Sequence, residues 1–203
     1  MDAVLSTAAL IVLAPLLLLI SAMVWFELGA PVLFWQKRVG FRGQLFPLLK
    51  FRTLHFPYDK AGRELSAAER ISALGKLLRK THLDELPQLI NVLAGDMSLV
   101  GPRPLLSDCQ PENASVRLMA RPGLTGLAQV TGGQTLSLDE KNRLDELYVS
   151  KASLWLDLRL ILETVRVLAL GGGFRDDWTC DASLTGGVVA TSTRAGDPTV
   201  DVQ

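Results

Sequence analysis

The sequence predicts an α+β, mostly helical fold in which an N-terminal membrane element precedes a small domain with a short β-hairpin and amphipathic helices. Three observations support this class: a long apolar run at the start, two strand-like segments around a glycine turn, and apolar residues at helical spacing. The 203 residues are enough to bury a core. We divide the chain into residues 1–30, the membrane element, residues 31–170, the domain, and residues 171–203, a tail rich in glycine, threonine and aspartate.

Residues 3–26 form an apolar run whose only polar side chains are Ser6, Thr7 and Ser21. A bilayer crossing needs about 20 apolar residues, so this run predicts a membrane helix. Pro15 lies near its middle and predicts a kink or break, because proline removes a hydrogen bond of the helix. The pattern fits two geometries, a helix that crosses the bilayer and a re-entrant helix-break-helix that returns both ends to the same side.

The formal net charge is zero, with 21 basic and 21 acidic residues, which argues against a nucleic-acid partner. The charges are unevenly placed, since residues 31–80 hold eleven lysines and arginines against three acidic residues, or +8. By the positive-inside rule, this basic stretch places the domain on the cytoplasmic side of the membrane. A field of this sign also suits an anionic ligand at the membrane surface.

Residues 32–36 and 45–51 have the composition of strands and flank a turn at residues 40–43, which predicts the hairpin. Ser66 and Glu69 form a capping box and predict a helix that runs to about residue 80. Further along, residues 139–170 predict one long amphipathic helix. Its apolar stripe suits either core packing or a position at the membrane interface.

An acidic pair, Asp84 and Glu85, opens the next predicted helix, residues 81–93. Pro87 locates its first turn, because proline is tolerated where an amide has no helical partner, and either Thr81 or Asp84 serves as the N-cap. The positive end of the helix dipole favours ionised carboxylates there. Capping requires a single carboxylate, so the second acid and the cations that precede it indicate a functional site.

Arg103 lies between Pro102 and Pro104 in a loop, residues 95–104, that also holds two glycines. Residues 121–130 predict a similar rigid loop followed by a short strand. The prolines restrict where the Arg103 guanidinium points, and a guanidinium suits phosphate oxygens because it donates hydrogen bonds in a planar fork. The loop therefore indicates a phosphate ligand, against the simpler alternative of a structural turn.

Residues 50–53, 83–88, 95–104 and 121–130 together resemble the bacterial sugar transferases called monotopic phosphoglycosyl transferases. The resemblance covers the chain up to about residue 170. It implies transfer of a sugar-1-phosphate from a UDP-sugar to a polyprenol phosphate of the undecaprenyl phosphate type, with Mg²⁺ as cofactor and release of UMP. This reaction would begin a lipid-linked glycan at the cytoplasmic face of the bacterial inner membrane, and the membrane element would be re-entrant, with its break at Pro15.

The resemblance also implies roles for individual residues. Asp84 would attack the β-phosphate to form a covalent intermediate and would ligate the metal, with Glu85 as its partner. Substrate-binding roles would fall to four further charged residues: Lys50, Arg79, Arg103 and Asp157. The chain departs from the family in the membrane element, where Ala14 takes the place of the usual serine before Pro15.

A second interpretation is a non-catalytic, membrane-anchored lipid-binding or scaffold protein whose basic stretch contacts anionic headgroups. The acidic pair, Asp84 and Glu85, favours the enzyme, because binding to headgroups does not need two acidic residues at that place. The sequence does not identify the sugar. It leaves the oligomeric state open, a homo-oligomer included.

Overall fold

The structure is a computed structural model that describes residues 1–58, 61–111 and 113–169. Within these residues the fold is mostly helical α+β, as the sequence predicts. The described part contains seven α-helices: α1 (Asp2–Leu28), α2 (Ala67–Arg70), α3 (Ala73–Thr81), α4 (Gln88–Ala94), α5 (Leu127–Thr131), α6 (Leu138–Lys151) and α7 (Leu154–Ala169). Its four strands are β1 (Leu33–Val39), β2 (Leu45–Phe51), β3 (Ser98–Val100) and β4 (Gly123–Thr125). The predicted tail, residues 171–203, lies outside the described residues.

Two small sheets form the β part of the fold. β1 and β2 pair antiparallel, with Leu33 opposite Phe51, so the predicted hairpin is confirmed. Its turn contains Gly43 at φ +80°, a left-handed conformation that glycine adopts without strain. β3 and β4 pair in parallel. In residues 121–130, two loop residues precede the short strand β4, as predicted in order, but the residues after Gly126 form α5 rather than more strand.

α1 is a continuous helix that includes Pro15. Proline lacks the amide that would donate to the carbonyl of Ile11, so one hydrogen bond of the helix is absent there. The helical backbone nevertheless continues, so the predicted division into two helices with a break at Pro15 is not present. Among the described residues, α1 is the one helix that is long and apolar enough to cross a membrane. Its exposed apolar side chains include Val4, Ile11, Val12, Leu18, Leu19 and Phe26. An apolar surface of this extent indicates a membrane environment.

Both ends of α1 contact the same domain. At the start of the helix, the hydroxyl of Ser98 donates a hydrogen bond to Asp2 Oδ2 at 2.7 Å. Near its end, the carboxylate of Glu27 accepts a hydrogen bond from the amide of Leu74 at 3.4 Å. The last turns also pack into an apolar cluster whose buried members are Ile20, Val24, Leu28, Phe51, Leu74 and Leu78. The domain therefore holds this helix at both termini.

Arg52 fastens the end of α1 to β2. Its buried side chain donates hydrogen bonds to the carbonyls of Leu28, Gly29 and Ala30. These carbonyls lie at the C-terminal end of α1, where the helix dipole is negative and a cation is stabilising. Because Arg52 directly follows β2, the apolar helix is tied to the strand that carries Lys50.

The predicted helix that starts after Ser66 is two helices. The capping box at Ser66 is confirmed at the start of α2. A second N-cap, Ser72, accepts a hydrogen bond from the amide of Gly75 at 2.8 Å and starts α3. A Cβ atom on Gly75 would lie 2.2 Å from the carbonyl oxygen of Thr53. The close approach of α3 to the end of β2 therefore requires glycine at this position.

The helix predicted over residues 139–170 is also two helices, α6 and α7, which are separated at Ala152 and Ser153. In α7, Leu160 is buried, whereas Trp155 is 79 % exposed. The other exposed apolar side chains of α7 are Leu154, Leu158, Leu162, Val165 and Leu168. Core packing does not account for this exposed stripe, so the interfacial alternative is favoured for α7.

Candidate active site

The acidic pair lies between α3 and α4, in a 3-10 turn formed by Leu83–Glu85. α3 ends at His82, whose left-handed backbone (φ 57°) redirects the chain. The prediction that this helix starts at Thr81 or Asp84 is therefore wrong, since α4 begins only after Pro87. The two acidic residues lie before the helix, at a bend that brings them towards β2.

Glu85 is the centre of a group of charges. Its Oε1 atom accepts a hydrogen bond from Lys50 Nζ at 2.7 Å and from Arg103 Nη2 at 3.0 Å. Glu85 is 7 % exposed, and both cationic side chains are mostly buried. Charge-assisted hydrogen bonds of this kind are strong, and burial protects them from screening by salt. We refer to Lys50, Glu85 and Arg103 as the Glu85 cluster; it joins β2, the 3-10 turn and the loop after β3.

Asp84 precedes Glu85 in the turn and is only 3 % exposed. Burial of two adjacent carboxylates is strongly unfavourable unless positive charges accompany them. Lys50 and Arg103 supply two such charges, so that the formal charges of the two acids and the two bases sum to zero. The structure thus brings together four of the predicted site residues, with Glu85 as the link between the cations.

Residues 50–53 contact three different parts of the protein. Lys50 joins the Glu85 cluster, and Arg52 binds the end of α1. The hydroxyl of Thr53 accepts a hydrogen bond from Arg79 Nε at 3.0 Å. Arg79 belongs to the last turn of α3, so a third predicted cation lies against the segment that carries Lys50.

Asp157 does not join the Glu85 cluster. It accepts a hydrogen bond from the Tyr148 hydroxyl at 2.8 Å and lines a cavity of about 460 Å³ with Asp2, Ser98 and Arg121. Burial raises the pKa of Asp157; the hydrogen bond from Tyr148 lowers it, and the charge of Asp2 raises it again. The sequence groups Asp157 with the other site residues, but the structure places it at this separate cavity, beyond the C-terminal end of α4.

A second buried ion pair joins Arg117 and Asp145, which are 4 % and 3 % exposed; the motif resemblance includes Asp145 but not its partner Arg117. Arg117 Nε and Nη2 donate to Asp145 Oδ2 at 3.2 and 3.1 Å. Burial raises the pKa of Asp145 to about 6; Arg117 opposes this rise, and the charge of Glu146 adds to it. Arg117 Nη2 also donates to the carbonyl of Arg103 at 2.7 Å. The two partners are 28 residues apart in a pattern with no local signature, so the sequence does not reveal the pair.

Fold and site together define a class of protein, in which a small α+β domain carries a buried, charge-balanced acidic site and holds both ends of an apolar N-terminal helix. The sequence profile of the family described as bacterial sugar transferase matches residues 1–171. The chain belongs to the bacterial sugar transferase family, in agreement with the resemblance of its motifs.

Three curated relatives show what the chain is similar to. It is 42 % identical over 175 residues to the uncharacterized sugar transferase EpsL of Bacillus subtilis, and the alignment covers 83 % of this chain and 87 % of the relative. It is 42 % identical over 181 residues to the UDP-glucose:undecaprenyl-phosphate glucose-1-phosphate transferase of Caulobacter vibrioides. This alignment covers 81 % of this chain and 67 % of the relative. It is 38 % identical over 192 residues to the undecaprenyl-phosphate galactose phosphotransferase of Salmonella typhimurium. This alignment covers 82 % of this chain and 39 % of the longer relative.

The raised pKa of Asp145 predicts a specific dependence of stability on pH. Between the unfolded pKa near 3.8 and the folded pKa of about 6, the folded protein keeps a proton that the unfolded chain has released. The free energy of unfolding therefore falls as the pH rises through this window, by about 2 kcal/mol between pH 4.5 and 7.5. Asp145→Asn should lose this part of the pH dependence. Thermal unfolding of both proteins at the two pH values measures it, and equal changes in the two proteins would contradict the assignment.

Proposed function

We propose that this protein transfers a sugar-1-phosphate from a UDP-sugar to a polyprenol phosphate of the undecaprenyl phosphate type, as the first membrane step of lipid-linked glycan synthesis. The observation that carries the proposal is the buried Glu85 cluster directly beside Asp84, which offers a carboxylate and two cations to a substrate with several phosphate charges. The names of the Caulobacter and Salmonella relatives describe transfers of this class.

In the first proposed step, a carboxylate oxygen of Asp84 attacks the β-phosphorus of the UDP-sugar. A bond forms between this oxygen and phosphorus, and the bond from phosphorus to the oxygen that bridges the two phosphates breaks. The bridging oxygen leaves with the bonding electrons as part of UMP. The product is a sugar phosphate joined to Asp84 as an acyl phosphate, a type of intermediate that carboxylates form in phosphoryl transfer.

In the second step, a phosphate oxygen of the polyprenol phosphate attacks the same phosphorus. The bond to Asp84 breaks, its carboxylate is restored, and the sugar is linked to the polyprenol through a diphosphate. Neither step requires a proton from the protein, because the attacking and leaving groups are oxyanions. The demand on the site is therefore to place negative reactants together and to offset their charge.

Lys50 and Arg103 meet this demand. Both are directed by Glu85, and the guanidinium of Arg103 presents a planar set of donors that matches phosphate oxygens. Oriented positive groups stabilise charge that develops as UMP leaves. Arg79, tied to Thr53 beside the same strand, remains a proposed substrate-binding residue. The position of Asp157 at a separate cavity lends no support to its predicted contact with substrate, which remains a prediction.

Mg²⁺ is the metal implied by the family, and the residues present fit an ion that is shared with the substrate. The described part of the chain contains no group of three or more His, Cys, Asp or Glu side chains that could hold a metal alone. Mg²⁺ commonly binds one or two carboxylates together with substrate phosphates. Because Glu85 Oε1 already accepts from two cations, Asp84 is the carboxylate that would hold the ion. When bound, Mg²⁺ would offset charge on the diphosphate.

The same proposal includes a re-entrant α1 with the domain on the cytoplasmic face. A helix that crosses a bilayer places its ends on opposite sides of about 30 Å of hydrocarbon. Here Asp2 contacts Ser98 and Glu27 contacts Leu74 of one domain, which supports a helix whose two ends lie on the same side. The exposed apolar stripe of α7 supports a domain that lies against the membrane surface, and the basic residues 31–80 favour the cytoplasmic face.

The first prediction from this function concerns the acidic pair. Asp84→Asn should lower turnover by at least ~10³-fold, because an amide cannot act as the nucleophile. Glu85→Gln should lower it roughly 10²-fold, because Lys50 and Arg103 lose the charge that orients them. The measurement is release of UMP from a panel of UDP-sugars with polyprenol phosphate and Mg²⁺.

The matched control is Asp139→Asn, the same change at an exposed residue in the first turn of α6, which should leave turnover unchanged. Undiminished turnover in Asp84→Asn would refute the mechanism. Absence of turnover in the unsubstituted protein with every donor would refute the function itself.

The topology predicts the accessibility of single cysteines in spheroplasts. In a background with Cys109 and Cys180 replaced by serine, Ala3→Cys and the exposed control Ala152→Cys should both resist a membrane-impermeant thiol reagent until the membrane is permeabilised. Labelling of Ala3→Cys alone in sealed spheroplasts would show that α1 crosses the bilayer.

A further inference from the structure

The loop that carries Arg103 is held through one backbone group of each residue from Val100 to Arg103. The amide of Gly101 donates to the carbonyl of Thr125 at 2.8 Å, and the amide of Gly123 donates to the carbonyl of Pro102 at 2.9 Å. A Cβ atom on Gly101 would lie 2.3 Å from the carbonyl oxygen of Arg121, so the two loops are in close contact. Pairing with the β4 segment therefore fixes the middle of the Arg103 loop.

The two ends of this loop are held by side chains. At the first end, the hydroxyl of Tyr148 lies 3.1 Å from the carbonyl oxygen of Val100 and 2.8 Å from Asp157 Oδ1, and these two acceptors share its single proton. At the other end, Arg117 Nη2 donates to the carbonyl of Arg103 at 2.7 Å, while Asp145 accepts from the same guanidinium. Asp145 and Tyr148 are three residues apart on α6 and thus share one face of that helix. This face therefore reaches both carbonyls that bracket the loop, directly through Tyr148 and indirectly through Arg117.

These three residues do not belong to the surface that meets substrate. Arg117 and Asp145 are almost fully buried, and Tyr148 is 5 % exposed. A buried ion pair is itself a weak source of stability, because the cost of removing two charges from water is close to the gain from their attraction. The geometry at the Arg103 carbonyl gives the pair a more specific use, since a guanidinium held by Asp145 can donate in only a narrow range of directions.

We infer that Tyr148, Arg117 and Asp145 are positioning residues that hold the Arg103 loop so that its guanidinium meets Glu85. They act on the reaction only through Arg103. The part of this inference that concerns turnover rests on the proposed function, whereas the part that concerns the conformation of the loop does not. Two experiments separate these parts.

The first experiment measures hydrogen exchange in the full-length protein in nanodiscs. Tyr148→Phe removes one hydroxyl and keeps the ring, so the variant should fold. The amides in residues 99–106 should exchange about fivefold faster than in the unsubstituted protein, as expected from the loss of one hydrogen bond. The control is Asn142→Ala, which removes a hydrogen bond to Glu146 elsewhere on α6 and should leave this loop unchanged. Equal exchange in the loop of both variants would overturn the inference whether or not the protein turns over.

The second experiment is a double-mutant cycle on kcat. Tyr148→Phe should lower kcat about 3- to 10-fold when Arg103 is present and should have no further effect in an Arg103→Gln background, where residual turnover is measured at high enzyme concentration. Asp145→Asn should behave in the same way and more strongly. A purely structural role would lower kcat by the same factor in both backgrounds, and that result would overturn the inference. If the unsubstituted protein shows no turnover, the proposed function fails and the exchange experiment alone decides the positioning role.

Discussion

The double contact of Glu85 with Lys50 and Arg103 is the interaction on which the rest of the site depends. It places two cations in the interior beside the two buried carboxylates, so that the formal charges of Lys50, Asp84, Glu85 and Arg103 sum to zero. It also joins three pieces of chain that are far apart in sequence: β2, the 3-10 turn and the loop after β3. The proposed reaction between two phosphate-bearing substrates would need cations at fixed positions, and Glu85 holds Lys50 and Arg103 in place.

The segment after Lys50 connects this site to the membrane element. Lys50 points to Glu85, Arg52 caps the C-terminal carbonyls of α1, and Thr53 accepts from Arg79, all within four residues. In the proposed reaction the acceptor is a lipid, so Asp84 would have to lie close to the membrane surface. A single stretch of backbone that binds both the apolar helix and the charged cluster sets the distance between them.

Four of the residues that the sequence singled out lie close together in the structure. Asp84, Glu85 and Arg103 stood out by residue type, and Lys50 by the resemblance of its motif to the family. The hairpin and the Ser66 capping box were also readable, because turns and caps have local chemical signatures. The helix ends near Ser72 and His82 were not, because a second cap and a left-handed residue divide segments that share one apolar periodicity. Arg117 and Tyr148 escaped detection because the carbonyls that they contact, those of Arg103 and Val100, are distant in sequence. The substrate-binding role of Asp157 stays a prediction.

In the proposed mechanism, Asp84 carries the sugar phosphate between donor and acceptor. The most direct measurement is the mass of the peptide that contains Asp84 after the protein is incubated with its UDP-sugar and Mg²⁺ in the absence of polyprenol phosphate. This peptide should gain one sugar phosphate at Asp84 and lose it when the acceptor is added. A protein that turns over with no such adduct, or with the adduct on another residue, would contradict the account.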